Sequence, residues 1–308
     1  MGKIAFVFPG QGAQAVGMGK DAYEAHAGAK EVYELADRML GFPLTELVFG
    51  GPEEQLKQTA NTQPALVATS LALYQVFREK GIRPDYVAGH SLGEYSALAV
   101  AGALSFEDAI RTVRARGLLM EQAVPGGQGA MAAALGAGRQ ELAALCAEVS
   151  SSVGAVELAN LNCPGQIVVS GTKEGVAAVA ERGKEAGAKR VIPLEVSGPF
   201  HSSLMKPAAE KLAEVLDALP VAAAEVPVVA NVTARPVTEP EEIRRLLVEQ
   251  VYSPVLWEDT VTWLIGQGVD TFIEIGSGSV LAGLIKKTDK SVAVYSLNSL
   301  EAVNAFSL

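Results

Sequence analysis

Five residues, Gly89-His90-Ser91-Leu92-Gly93, constrain this chain more than any other stretch. Asp85-Tyr86-Val87-Ala88 before them reads as a short buried strand. Leu92 to Leu104 (LGEYSALAVAGAL) after them reads as a helix. A serine held between a strand and a helix that follow so closely sits on a sharp turn. Its backbone is strained, and its hydroxyl is thrust out at the edge of the sheet. A glycine two residues to either side leaves room for the bend. The residues also admit a plainer reading, in which Ser91 is the N-cap of an ordinary helix.

Strand-like and helix-like segments alternate along the whole chain, which predicts an α/β fold with a largely parallel sheet. Lys3 to Phe8 reads as a strand, Ala65 to Lys80 and Phe106 to Ala123 as helices. Val124-Pro125-Gly126-Gly127-Gln128-Gly129 then breaks the pattern. From Ala130 to Val196 the order becomes βαββαβ, the split ferredoxin-like unit. Its strands are Ala130–Leu135, Val156–Asn162, Gln166–Ser170 and Lys189–Glu195, and its helices Arg139–Val149 and Lys173–Ala186. Residues 128–196 are therefore expected to form a small domain inserted into a larger one made of 1–127 and 197–308. In the second half, helices are expected at Leu204–Leu219, Glu241–Tyr252, Trp257–Gln267 and Val280–Lys287. Strands are expected at Val226–Val232, Thr271–Ile275 and Val292–Leu297.

Composition excludes several function classes. The 308 residues are 49% hydrophobic and 19% charged, enough for a large core. A net charge of −10 argues against a basic face for nucleic acid. Cys146 and Cys163 are the only cysteines, and neither has a partner at metal-ligand spacing. Two thiols make no disulfide framework, so a reducing cytosol fits and no metal is expected. The apolar stretch Ile4–Phe8 is too short for a signal-peptide core, and no apolar run reaches the length of a membrane span. A cytoplasmic protein without membrane contact is expected.

A serine hydroxyl is a poor nucleophile unless a base lies within about 2.6–3.2 Å. The chain has three histidines. His26 falls in an early polar helix (AYEAHAGAKEVYEL) and reads as a surface residue. His90 is adjacent to Ser91 on the elbow, where neighbouring side chains diverge. His201 remains, in the loop Ser197-Gly198-Pro199-Phe200-His201 between a strand and a helix, where a base could face an elbow serine. Arg116 is the second informative residue. It falls on the apolar stripe Ala109, Val113, Met120, Ala123, whereas Arg111 and Arg114 point elsewhere and read as solvated. An arginine facing a core costs several kcal/mol unless an anion pairs with it. That anion is either a bound carboxylate or one of the chain's own, and both readings stay open.

The loop Pro9-Gly10-Gln11-Gly12-Ala13-Gln14, with the next residue, gives Gly10-x-Gly12-x-x-Ala15, similar to a dinucleotide fingerprint. The acidic strand end about 20 residues on is missing, because Lys30–Leu40 reads as helix. The loop serves better to place backbone N–H groups beside Ser91. The N–H of Leu92 and that of Gln11 are the candidates for an oxyanion hole.

Taken together, these segments resemble the malonyl-CoA:acyl carrier protein transacylases of fatty acid synthesis. The motifs are FPGQGAQ (Phe8–Gln14), GHSLGEY (Gly89–Tyr95), RG (Arg116–Gly117), NCPGQIVVSG (Asn162–Gly171), PFHSSLMKPA (Pro199–Ala208), EQVYSPVLW (Glu249–Trp257) and EIGSG (Glu274–Gly278). The resemblance implies that Ser91 is acylated by malonate from malonyl-CoA and passes it to the phosphopantetheine thiol of acyl carrier protein, in ping-pong fashion. His201 would be base and then acid, Arg116 would hold the malonyl carboxylate, and Gln11 and Leu92 would supply oxyanion N–H groups. A backbone carbonyl, here that of Gln250, would orient the histidine in place of an aspartate. The implied fold is an α/β-hydrolase-like large domain with a ferredoxin-like small one. Malonyl-CoA is then a substrate, no cofactor is needed, and a monomer is expected. Phe200 resembles the bulky residue that disfavours an α-methyl branch. Lys189-Arg190 and Lys286-Lys287 are candidate contacts for an acidic carrier protein. A serine esterase or thioesterase on the same elbow, an inactive acyltransferase-like domain and a free-standing acyltransferase serving a polyketide synthase are the alternatives.

Overall fold

A computed structural model describes residues 2–308. β1 (Lys3–Phe8) leads into five helices, α1 (Lys20–Ala25), α2 (Ala27–Leu40), α3 (Leu44–Gly50), α4 (Glu53–Leu56) and α5 (Thr59–Phe77). β2 (Tyr86–Gly89), α6 (Gly93–Val100) and α7 (Phe106–Gln122) follow. The middle of the chain runs β3 (Gly129–Leu135), α8 (Arg139–Ser152), β4 (Val156–Cys163), β5 (Gln166–Thr172), α9 (Lys173–Arg182) and β6 (Arg190–Pro193). The last part comprises α10 (Lys206–Asp217), β7 (Val228–Ala230), β8 (Arg235–Val237), α11 (Pro240–Gln250), α12 (Trp257–Gly266), β9 (Val269–Ile275), α13 (Val280–Thr288), β10 (Ala293–Leu297) and α14 (Leu300–Ala305).

The strands form two sheets. Six lie in the order β10-β9-β1-β2-β7-β8, parallel throughout except for β8, which runs antiparallel to β7. β1 is central because its sequence, KIAFVF, is apolar on both faces. Phe6 and Phe8 pack into the core that includes α5, α6, α7, α10 and α11. Ala5 and Val7 point the opposite way, onto α12 and α13. The second sheet is antiparallel, in the order β4-β5-β3-β6. Ala132, Ala134, Ile167 and Val169 on one of its faces cover Leu142, Leu145 and Val149 of α8 and Val176 and Val179 of α9. Met131, Ala159 and Val168 on the other face join the core of the large sheet. The contact is partly backbone. Leu161 N–H donates to the carbonyl of Val255 and Val255 N–H to that of Ala159, both at 2.9 Å.

Several local expectations need correction, among them the helix expected to run to Leu104, which ends at Val100. The early helix is broken at His26, whose ring caps α2 by accepting from the Ala29 N–H at 3.2 Å and meets Glu79 at 3.0 Å. α5 begins at Thr59, six residues before the expected start, and carries Pro64 inside it. Proline there removes one N–H, and burial of nearly every residue of α5 outweighs the loss. Arg114 is half-buried rather than solvated, bonded to Asn61 and stacked 4.9 Å over the Phe42 ring. β8 has no expected counterpart, because three residues carry no readable alternation.

Candidate active site

The elbow is held by close backbone packing. A Cβ on Gly89 would lie 1.9 Å from the Gly93 carbonyl, and one on Gly93 would lie 2.2 Å from the Phe8 carbonyl. Only glycine lets the start of α6 fold back against β1 and β2 so tightly. Between them Ser91 adopts φ 51°, the left-handed region that a residue with a side chain enters at a cost. Asn231, just after β7, spans the turn. Its Nδ2 donates to the Gly89 carbonyl, and its Oδ1 accepts the Ser91 N–H at 2.7 Å. The N-cap of α6 is Leu92, so the plainer reading of Ser91 as a capping residue falls.

His201 lies 2.7 Å from the Ser91 hydroxyl through Nε2. It too has a positive φ, 58°, on the turn before α10. Its Nδ1 is 2.8 Å from the main-chain carbonyl of Gln250. A carbonyl only accepts, so Nδ1 carries the proton and Nε2 presents its lone pair to Ser91. Burial pushes the imidazole down to about 3, and the guanidinium of Arg116 pushes the same way. The ring is therefore neutral at rest, as a base must be. The turn is tied to the antiparallel sheet, where the Glu157 carboxylate of β4 accepts from the Ser203 N–H and hydroxyl.

Arg116 is 1% exposed and forms no ion pair among the described residues. Two amide oxygens hold it, Gln63 Oε1 at 2.9 Å from Nη1 and Gln250 Oε1 at 3.1 Å from Nη2. Nη2 also donates to Ser91 Oγ at 3.2 Å, Nε has no partner, and the guanidinium lies 5.7 Å over the Tyr95 ring. Neutral acceptors aim the cation without cancelling its charge. That disposes of the reading in which a carboxylate of the chain pairs with it directly. Gly117 makes the placement feasible, since a Cβ there would lie 2.8 Å from Ala60 Cα and hold α7 away from α5.

A cavity of about 410 Å³ opens over these groups, between the large sheet's elbow and the face of the antiparallel sheet turned towards it. Ser91, His201, Arg116 and Gln11 line it from one side. Met131, Ala133, Asn160, Asn162 and Val168 line it from the other. The N–H groups of Gln11 and Leu92 find no acceptor among the described residues, which leaves both available to a ligand. The Gln11 side chain is held away by the Thr59 hydroxyl at 3.1 Å. His90 turns from Ser91, as expected, to Asn162 Oδ1 at 2.8 Å, and its ring lies tilted 5.7 Å from that of Trp257. His26 is remote from the cavity. Lys287 reaches Gln166 at the cavity wall, whereas Lys286 is bound to the Val292 carbonyl. Among the described residues no group of acidic, histidine or cysteine side chains is arranged to hold a metal, and no helix is long and apolar enough to cross a membrane.

Sequence reading found Ser91, His201, Arg116, Gln11, Leu92 and, by resemblance, Gln250, and the fold brings all six to one place. It missed Gln63, Glu94 and Asn231. Glu94 lies in the GHSLGEY motif and Gln63 just before Pro64, so each had a local signal. Asn231 had none.

Residues 5–303 match the acyl transferase domain family. The malonyl CoA-acyl carrier protein transacylase of Bacillus subtilis (strain 168) is 55% identical over 303 residues, covering 98% of this chain and 96% of that protein. The crystal structure of an acyl carrier protein S-malonyltransferase from Vibrio cholerae superimposes with a TM-score of 0.95 at 45% identity, covering 98% of this chain and 99% of that one. A malonyl-transacylase in complex with its type II polyketide synthase acyl-carrier protein gives a TM-score of 0.95 at 44% identity, with 98% of each chain covered.

Proposed function

The chain belongs to the acyl transferase domain family, and from that premise we infer that it moves malonyl groups from malonyl-CoA to acyl carrier protein in fatty acid synthesis. One observation carries the choice of acyl group. Arg116 is a buried cation, aimed by two amides, unpaired and 3.2 Å from the nucleophile. A carboxylate two carbons from the thioester satisfies it, and an acetyl or plain ester substrate does not.

Ser91 Oγ attacks the thioester carbonyl as its proton passes to His201 Nε2. The N–H groups of Gln11 and Leu92 receive the developing oxyanion. When the C–S bond breaks, the imidazolium returns that proton to the departing coenzyme A thiolate, leaving a malonyl-Ser91 ester. The phosphopantetheine thiol of the carrier protein then attacks the ester. It gives its proton to His201, which hands it to Ser91 Oγ as the C–O bond breaks. The Gln250 carbonyl keeps the proton of Nδ1 in place throughout, the task an aspartate performs in the familiar triad. An arriving carboxylate neutralises Arg116, which relieves one of the three influences that depress His201, the others being burial and His90. Substrate binding thus makes the base stronger when it is needed.

In this reading no cofactor is required and the chain works as a cytoplasmic monomer, without nucleic acid or membrane. The strand order β4-β5-β3-β6 supports a ferredoxin-like unit at 128–196, inserted in an α/β-hydrolase-like domain of 1–127 and 197–308. Phe200, buried at the cavity wall beside Met120, narrows the space an α-methyl branch would need. The likeness to a polyketide synthase transacylase favours one second reading, the same chemistry with that kind of carrier protein as acceptor.

The test is intact mass after mixing with malonyl-CoA in the absence of carrier protein. The wild type gains one malonyl group and Ser91→Ala gains none. No adduct on the wild type, or one retained in Ser91→Ala, removes the mechanism. Turnover with and without an acceptor thiol then separates transfer from hydrolysis.

A further inference from the structure

Glu94 has no part in the steps above, yet it stands two hydrogen bonds from the substrate-binding cation. It is 2% exposed and lies in the first turn of α6. Its Oε2 accepts from Gln250 Nε2 at 2.8 Å and from the Asn231 main-chain N–H at 3.1 Å. Gln250 is the hub of the site. Its main-chain carbonyl holds His201, and its side-chain Oε1 holds Arg116. The two ends of a primary amide have nearly the same shape, so shape alone does not decide which end faces the guanidinium. Turned over, Gln250 would point N–H groups at a buried cation that already lacks an anion.

We propose that Glu94 is the positioning residue that fixes the orientation of the Gln250 amide and, through it, the aim of Arg116 at the acyl carboxylate. Gln250 Nε2 has two other acceptors, the Ser91 carbonyl at 3.0 Å and Asn231 Oδ1 at 3.3 Å. Glu94 Oε2 is the nearest of the three, so the direction from which it reaches Nε2 decides which end of the amide turns towards it. With the amide so held, its oxygen is left for Arg116. Burial pushes the Glu94 carboxyl up to about 7, against the pull of Asn231, Gln250 and Arg116. Its reach to Nε2 therefore matters more than a permanent charge. The Glu94–Asn231 bond serves the same end, since Asn231 also pins both sides of the Ser91 turn.

The proposal rests on the malonyl-transfer reading, and its test separates the two. Rates of Ser91 acylation are read by intact mass with malonyl-CoA and with acetyl-CoA, on the wild type and on Glu94→Ala, Glu94→Asp and Glu94→Gln. The malonyl-to-acetyl ratio of kcat/KM falls on the order of tenfold in Glu94→Ala and in Glu94→Asp, whose oxygen falls short of Nε2. It stays within about threefold of wild type in Glu94→Gln, which keeps an oxygen at that reach. A general loosening of the fold would lower both substrates together and leave the ratio unmoved. A ratio unchanged in Glu94→Asp, or one that falls as far in Glu94→Gln as in Glu94→Ala, overturns the proposal. Should Glu94→Ala fail to accumulate as folded protein, Glu94→Asp decides. A wild type that takes no malonyl group sinks the transfer reading instead.

Discussion

Arg116 chooses the substrate by what it lacks. Its two amide acceptors leave a positive charge inside the protein with no carboxylate in contact with it, beside a hydroxyl and a neutral imidazole, and Glu94 one residue further off behind Gln250. Arg116→Ala should slow malonyl loading of Ser91 by about 10²-fold or more, an effect of the size expected for a charge-assisted pair, and acetyl loading far less. Equal losses on both substrates would remove Arg116 from substrate binding. The neighbouring imidazole gives a second expectation. Because its pKa lies well below the usual histidine range, the base stays deprotonated as pH falls. Labelling of Ser91 by a small uncharged phosphonofluoridate should therefore hold steady from about pH 7.5 to 5, where an ordinary histidine would show an inflection near 6.5. An inflection in that window on the wild type contradicts it. Ser91 and Arg116 were legible because each breaks a local pattern, one a strand-to-helix junction and the other an apolar stripe. The partners of Arg116 were not, since Gln63 and Gln250 lie 53 and 134 residues away in sequence.

At the scale of elements, the site depends on close approaches that glycine permits. Gly117 brings α7 against the first turn of α5 and so delivers Arg116 to the elbow. Gly117→Ala puts a methyl group against backbone atoms of Thr59 and Ala60, which cannot swing away. Overpacking of this kind costs about 1–3 kcal/mol, measurable as a lower urea midpoint with unchanged slope. A midpoint within error of wild type would show that the two helices part without strain. The same pair of helices marks where sequence reading stopped short. Pro64 reads as a helix boundary by its own chemistry, and α5 runs through it because tertiary burial overrides local preference. β1, by contrast, was read to the residue, since four consecutive buried apolar residues admit few other structures. The middle βαββαβ order was equally legible, because its turns and periods switch at glycine and proline.

Across the whole molecule, the reaction space belongs to neither sheet. The elbow, the base and the cation stand on the parallel sheet's side, and Met131, Ala133 and Val168 close the space from the antiparallel one. Ala133→Trp should fill that space from the far side. Malonyl and acetyl loading should fall together, by about tenfold or more, with the unfolding midpoint close to wild type because the ring enters a void. Loading at the wild-type rate would mean that acyl groups approach from elsewhere. How the two sheets meet was hidden from sequence. The joint is a backbone exchange between β4 and Val255, about a hundred residues apart, and main-chain bonds leave no side-chain signature.

The unpaired guanidinium has one more consequence, this time for heat. A folded chain that keeps a cation in its interior with no anion in contact with it is electrically unfinished, and the substrate's own carboxylate is the missing piece. The malonyl-enzyme should therefore melt higher than the free enzyme, by about 1.5 °C for each kcal/mol that the new pair contributes. The acetyl-enzyme, which brings no charge, should melt where the free protein does. Thermal stability would then report which acyl group is on board, before any carrier protein arrives to collect it.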